Sequence, residues 1–275
     1  MSTKDQLRDW MTRRINDYET EYGSFNKQEA AARLYAATSV QYLDGIGLVQ
    51  RGSTPCYFGG LYSFVCCKWP MRKSQPFHDH FEEVDDGTLR PRQPLFIVTC
   101  AGSSVGESPS WYNGRERWVA SVALVTRGFY GMDDYGQYLL DNYDESVWRH
   151  RMSRGEHPPS HAVEHGDCHA IIEDGEVVGV GLPPSKQYFS HDHAEDPTNM
   201  GCGCGTPAVS DPLEHKDNDP NRIKCIAEPG YWTAWKEPQL FDPTRKRRRY
   251  GGGGMMRAFE GENPNKNLLS ILEER

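Results

Sequence analysis

Apolar residues recur at helical spacing at the start of the chain. Leu7, Trp10, Met11, Ile15 and Tyr18 fall on one stripe with charges between them, which predicts an amphipathic helix over residues 3–21. Asn26-Lys27-Gln28-Glu29 has the form of a capping box, and Ala30, Ala31, Leu34 and Tyr35 follow it, so a second helix is expected there. The pattern then changes. Residues 56–69 are rich in aromatic and β-branched types around Gly59-Gly60 and read as a hairpin. Residues 94–101 read as a buried strand, and the Val-rich stretch 118–126 as a second one, fed by a tight turn at Asn113-Gly114. A helix is expected from Asp133 or Asp134, carrying Tyr138, Leu139 and Trp148. The segments 170–173 and 176–180 flank Asp174-Gly175, a favoured two-residue reverse turn, and predict a hairpin. Residues 150–167 and 197–222 are polar and rich in turn formers, and read as loops. A short tail helix is expected from Asn263-Pro264 to Glu274, with Leu268, Leu269 and Leu272 on it.

These elements describe an α+β chain: two small mixed antiparallel-sheet halves with flanking helices, rich in loops. The expected divisions are an N-terminal half over 1–130, a C-terminal half over 131–250, and a Gly-rich linker with the tail helix over 251–275. Only 37% of the residues are hydrophobic, and there are 27 Gly and 18 Pro. Mean hydropathy is -0.75. Cores this sparse gain from a staple, and a bound metal is the expected one.

The staple has candidates, because one pattern occurs twice. Cys56 is followed by Gln75-Pro76-Phe77-His78-Asp79-His80-Phe81-Glu82, then Cys100. Cys168 is followed by Gln187-Tyr188-Phe189-Ser190-His191-Asp192-His193-Ala194-Glu195, then Cys225. Cys56 and Cys168 are 112 positions apart, while His78 and His191, and Glu82 and Glu195, are 113 apart, which points to an internal repeat. Thiols and imidazoles together suit zinc, and a closed four-ligand site is structural. The first set is Cys56, His78, His80 and Cys100. The second is over-complete: Cys168, His191, His193, Cys202, Cys204 and Cys225. A His pair at i and i+2 on a strand would point both rings to one side. Seven of the ten His lie within 157–215, which adds weight to the second set.

The same residues allow two catalytic readings. The segment from Ala170 to Glu195 resembles the strand–turn–strand and His-Ala-Glu entry of zinc-dependent nucleobase deaminases. That resemblance implies His193 as a zinc ligand and Glu195 as general acid/base. It covers about twenty-five residues and then departs. Asp196-Pro197 and Cys202-Gly203-Cys204 stand where that family has a helix and a later Pro-Cys-x-x-Cys. Cys204, within Gly203-Cys204-Gly205, and Cys168, within Gly166-Asp167-Cys168-His169, resemble the surroundings of a cysteine-hydrolase nucleophile. No P-loop pattern occurs, which argues against a P-loop nucleotide hydrolase.

Charge sets the partner class. A formal net charge of -8 argues against a generally basic surface, so nucleic-acid binding has to be local. The local candidate is Arg245-Lys246-Arg247-Arg248-Arg249-Tyr250, followed by four glycines. Tyr231, Trp232 and Trp235 are candidate stacking residues beside it. The leading expectation is therefore a zinc-stabilised binding or structural protein. Its partner would be nucleic acid or an anionic partner such as an acidic protein. A homo-oligomer is compatible with the sequence. No apolar run is long enough to cross a bilayer and no apolar signal core opens the chain. An intracellular setting, cytoplasmic or nuclear, is expected, with the eight Cys as thiols or ligands rather than disulfides.

Overall fold

The computed structural model describes residues 3–37, 40–43, 47–50, 58–65, 69–84, 88–101, 118–147, 170–173, 176–180, 221–240, 255–262 and 267–272. Helix α1 spans Thr3–Tyr22. Leu7, Met11, Ile15 and Tyr18 are all buried on one face of it, as their spacing demands. It ends at Gly23, whose φ of 98° admits the left-handed residue that closes many helices; its N–H donates to the Glu19 carbonyl at 3.0 Å.

The next segment departs from expectation. Asn26 does cap: its side chain accepts from the Gln28 N–H at 3.1 Å and donates to Glu29 at 3.0 Å. The turn it caps is a single 3-10 turn, Lys27–Glu29. The chain then enters strand β1, Ala31–Ala37, instead of a helix. Ala-rich sequence favours a helix locally, but β1 is paired on both sides, and tertiary pairing outweighs a few tenths of a kcal/mol of propensity per residue, about 0.5 kcal/mol at most.

The remaining elements are β2 (Val40–Leu43), β3 (Gly47–Gln50), β4 (Tyr62–Phe64), α2 (Trp69–Arg72), α3 (Gln75–His78), β5 (Phe81–Glu83), β6 (Thr88–Pro91), β7 (Leu95–Ala101), β8 (Trp118–Leu124), β9 (Arg127–Phe129), α4 (Met132–Asn142), β10 (Ala170–Glu173), β11 (Glu176–Val180), β12 (Lys224–Ala227), β13 (Trp232–Leu240) and β14 (Met255–Arg257). The strands at 94–101 and 118–126, the helix near 133 and the hairpin β10–β11 match the sequence reading. The hairpin expected within 56–69 is replaced by a 3-10 turn at Phe58–Gly60 and the short strand β4, whose partner is the distant β12. The tail forms a 3-10 turn, Leu269–Ile271, rather than a longer helix. Asn113-Gly114, Trp148, 150–167 and 197–220 lie outside the described residues.

Two five-stranded sheets carry the fold. The first has the order β13-β8-β7-β1-β14, mixed, with β1 and β7 parallel. The second, β4-β12-β9-β6-β5, is antiparallel throughout. The fold is thus α+β, with one mixed and one antiparallel five-stranded sheet and the two-stranded antiparallel pairs β2–β3 and β10–β11 among the described residues. Each sheet draws strands from both sides of residue 130, and β14 of the first comes from beyond residue 250. The sheets face each other across Ala31, Leu95, Ile97, Ala123, Phe64, Phe77 and Cys225. On the other face of the first sheet, α1 and the tail residues Leu268, Leu269, Ile271 and Leu272 cover Leu34, Phe96, Val98, Val122 and Leu124. On the other face of the second, Tyr135 and Leu139 of α4 cover Phe129 and Ile226. The layering is helix, sheet, sheet, helix. Each fully buried Leu, Ile or Phe in it contributes about 1.5–3 kcal/mol.

The chain changes sheets twice at one corner, from β8 to β9 through Val125-Thr126 and from β12 to β13 through 228–231. There the half-buried Glu228 accepts from Tyr22 of α1 at 3.1 Å and from Tyr138 of α4 at 2.6 Å. Its own N–H donates to the Thr126 hydroxyl at 3.2 Å. One carboxylate therefore ties both outer helices to the corner. Burial first, and the acids beside them next, hold the Tyr22 and Tyr138 hydroxyls well above their ordinary pKa.

Candidate functional site

Side chains alternate along a strand, so Ala31 and Arg33 of β1 share the face turned toward the second sheet, as do Leu95, Ile97 and Thr99 of β7. Arg33 lies opposite Ile97, and Thr99 one pair further along, which makes Arg33 and Thr99 diagonal neighbours on that face. Both are buried, at 6% and 0% exposure. The Arg33 Nε and the Thr99 hydroxyl have no hydrogen-bond partner among the described residues. Burial lowers the Arg33 pKa from its usual value.

His80 lies within reach of the Arg33 charge. It follows α3, and its Nδ1 accepts from the Gln93 amide at 3.0 Å, so its proton sits on Nε2. Burial, then the nearby Arg33 charge, lowers its pKa, partly offset by Asp79. A neutral imidazole thus stands near a buried guanidinium. His80, Gln93 and Ala31 line one wall of a cavity of about 1020 Å³ that extends to Ile15, Arg257 and Phe259. The size suits a small molecule. The carboxylates of Glu29, Glu260 and Glu262 also line it; Glu260 is paired with Arg8, and Glu29 accepts from Asn26.

A second group of cations is buried along β12. Arg72, from α2, donates to the carbonyls of Arg222 and Ile223, each at 3.4 Å. Lys224 donates to the Tyr130 carbonyl at 2.7 Å. The Arg72 bonds fasten the start of β12 to α2, and the Lys224 bond fastens it to the connection between β9 and α4.

The expected metal ligands are distributed as follows. His78 ends α3 and His80 lies in the turn after it, so the pair is not on a strand and the alternation argument for one shared side does not apply. His78 Nε2 contacts the carbonyls of Asn221 at 2.8 Å and Arg72 at 3.1 Å, which fixes its proton there and leaves only Nδ1 for any metal. Cys100 lies on β7, opposite Ala36 and Val119, while Cys225 lies on β12, opposite Phe64 and Gly128; the two late cysteines of the repeated pattern are in different sheets. The Cys225 thiol is fully buried among apolar side chains, and burial pushes its pKa up to about 12, a poor thiolate donor at neutral pH. Cys56, Cys168, His191, His193, Glu195, Cys202 and Cys204 lie outside the described residues. Among the described residues no three His, Cys, Asp or Glu side chains gather closely enough to hold a metal. Glu82 is committed to a cross-strand ion pair with Arg90.

The basic run 245–250 also lies outside the described residues, but its anchors do not. Leu240 ends β13 and Met255 begins β14, the two edges of the first sheet, which lie about 19 Å apart across it at the usual strand spacing, with Met255 opposite Arg33. Leu240 pairs with Trp118, near the end of the sheet where β7 finishes, and β14 enters from that same end. Two of the three candidate stacking residues are otherwise employed: Tyr231 donates to Glu21 at 3.0 Å, and both Tyr231 and Trp232 pack on the cores, while the Trp235 side chain lies outside the described residues.

Arg33 and Thr99 escaped the sequence reading. The signal available was a lone Arg within Ala31-Ala32-Arg33-Leu34 and a lone Thr within Ile97-Val98-Thr99-Cys100, each a polar residue inside an apolar run. Among the described residues no helix is long and apolar enough to cross a membrane. No protein-family model matches the chain, and no curated protein or solved structure matches it.

Proposed function

We propose that this chain is a binding or structural protein whose basic segment, Arg245 to Arg249 with Tyr250, contacts nucleic acid or another anionic partner. The observation that supports the reading most is the position of that segment's anchors. Its flanking residues, Leu240 and Met255, belong to the two edge strands of the first sheet, so the five adjacent cations fall in a stretch of sequence that joins two fixed points. A tethered cationic stretch neutralises phosphates and releases counterions, which gives affinity that falls steeply with salt. Reversing the charges at 245–249 tests it. Affinity for a duplex oligonucleotide should collapse, and the salt slope should flatten by about one for each cation that had met a phosphate. An unchanged slope refutes the reading.

Zinc belongs to the same proposal as a staple. Cys168, His191, His193, Cys202 and Cys204 supply a sufficient set without the core thiol Cys225. Elemental analysis of the purified chain measures this. Two zinc per chain fit paired structural sites, one fits a shared centre, and none removes the zinc part while leaving the basic segment to its own test.

A further inference from the structure

We propose that the cavity of about 1020 Å³ bounded by α1, the entry to β1 and the segment 256–262 binds a neutral oligosaccharide. The polar residues that line it are held in place by bonds that use only part of their capacity. Gln93 gives an amide N–H to His80 at 3.0 Å, Glu29 accepts from Asn26 at 3.0 Å, and Arg257 donates to the Gln28 carbonyl. A guanidinium has more donors than one carbonyl uses, a carboxylate more acceptor sites than one amide fills, and a glutamine that donates keeps its carbonyl oxygen. Glu262 adds a second exposed carboxylate to the lining. The lining therefore mixes acceptor-only carboxylates, a donor-only guanidinium and amides that do both. A singly charged ligand meets its own sign there, an anion at Glu29 and Glu262, a cation at Arg257. Hydroxyl groups donate and accept without charge, so a polyhydroxy ligand answers every one of these groups, and its bonds to the charged ones are the strong kind.

The apolar part of the lining fits the same ligand. Ile15, Ala30 and Ala31 are buried, and Phe259 is half-buried, while Glu29, Arg257 and Glu262 are exposed. A sugar ring has this two-sided character: C–H groups on its faces, which suit the face of an aromatic ring, and hydroxyls around its edge. The volume stands at the upper end for ligand cavities and exceeds what one sugar ring fills, so several linked sugars are the matching size. The lining also comes from two parts of the chain, with Ile15 and Glu29 near the start and Phe259 and Glu262 near the end. The Ala258 N–H donates to the Ala30 carbonyl at 2.8 Å where the two parts meet. A ligand that touches both parts holds that junction closed. The site shares no residue with the basic segment 245–250, so either can fail without the other.

The test uses the full chain, with maltotriose, cellotriose and chitotriose as probes and glucose, spermidine and inorganic phosphate beside them. Calorimetry and thermal melts are the readouts. At about 10 mM at least one trisaccharide should raise the melting temperature and bind saturably, one per chain, more tightly than glucose. It should also slow hydrogen exchange at the Ala258 amide. The double variant Glu29→Gln, Glu262→Gln should weaken that trisaccharide about tenfold, because two charged acceptors become neutral, and should melt like the wild type without sugar. Phe259→Leu keeps an apolar side chain and should weaken binding about fivefold. The double variant carries the test if Phe259→Leu does not fold. Glu83→Gln, an exposed change on β5 away from the cavity, should bind as the wild type does. The proposal is overturned if no trisaccharide binds, if the double variant and Phe259→Leu bind it unchanged, or if exchange at Ala258 is unaffected. Spermidine or phosphate bound more tightly than every sugar would overturn the neutral assignment.

Discussion

The corner around Glu228 and the inter-sheet space around Arg33 both bury polar groups, and they do so in opposite ways. At the corner, acceptors meet donors: two tyrosine hydroxyls and a threonine hydroxyl are all used, and together they bind four layers into one body. Beside β1, the Arg33 Nε and the Thr99 hydroxyl meet no hydrogen-bond partner among the described residues. A satisfied buried network holds a fold in one shape, whereas an unsatisfied one costs stability. Burial and polarity alone therefore do not tell which buried polar groups hold the fold together; the partner count does.

Substitutions can break this contrast. The largest effect should come from Glu228→Ala, which leaves the Tyr22 and Tyr138 hydroxyls without their acceptor; urea unfolding should show a loss of about 3 kcal/mol. A loss below about 1 kcal/mol would mean the corner is not the clamp described. Gly59→Ala, in the turn that leads into β4 near the same corner, should cost about 2 kcal/mol. Gly59 has a φ of 71°, and a Cβ there would meet Val147 at 2.6 Å. The sharpest comparison is one substitution at two places. Thr126→Val removes a used hydroxyl and should destabilise by about 1 kcal/mol, while Thr99→Val removes an unused one and should stabilise by about as much. Equal signs in thermal melts would erase the distinction between the regions.

The smallest effect concerns pH. Burial and Arg33 lower the His80 pKa below its ordinary 6.5. In acid the unfolded chain then takes up the proton first, so stability falls as pH drops from about 6.5 toward the folded-state value and levels off below it. Arg33→Met should flatten that slope in pH-dependent melts, because it removes the neighbouring charge but not the burial. A slope unchanged by Arg33→Met would show that the guanidinium does not act on the imidazole.

The sequence was most legible where periodicity was strong. The stripe Leu7, Met11, Ile15, Tyr18 announced α1, and the apolar run 95–101 announced β7. It was least legible where a partner lay far away. Phe58 to Phe64 looked like half of a local hairpin, but β4 finds its partner in β12, about 160 positions on, and no local rule reaches that far. The His78–Asp79–His80 triplet was visible as chemistry, yet its backbone belongs to a helix end, because Ser74 and Pro76 open α3 just before it. The basic run was readable as charge; only the sheet order shows that its flanks stand at opposite edges of one sheet.

The order of residues by itself determined the composition of each face: the alternation along β7 and the spacing along α1 state which side chains shun water, since the 2- and 3.6-residue periods are properties of the local backbone. Tertiary structure alone decided that Ala31–Ala37 is a strand, that it runs parallel to β7, and that Arg33 and Thr99 become neighbours inside a layer. Those outcomes depend on pairing between segments some sixty positions apart, whose combined hydrogen bonds and buried area outweigh the weak preferences of each segment on its own.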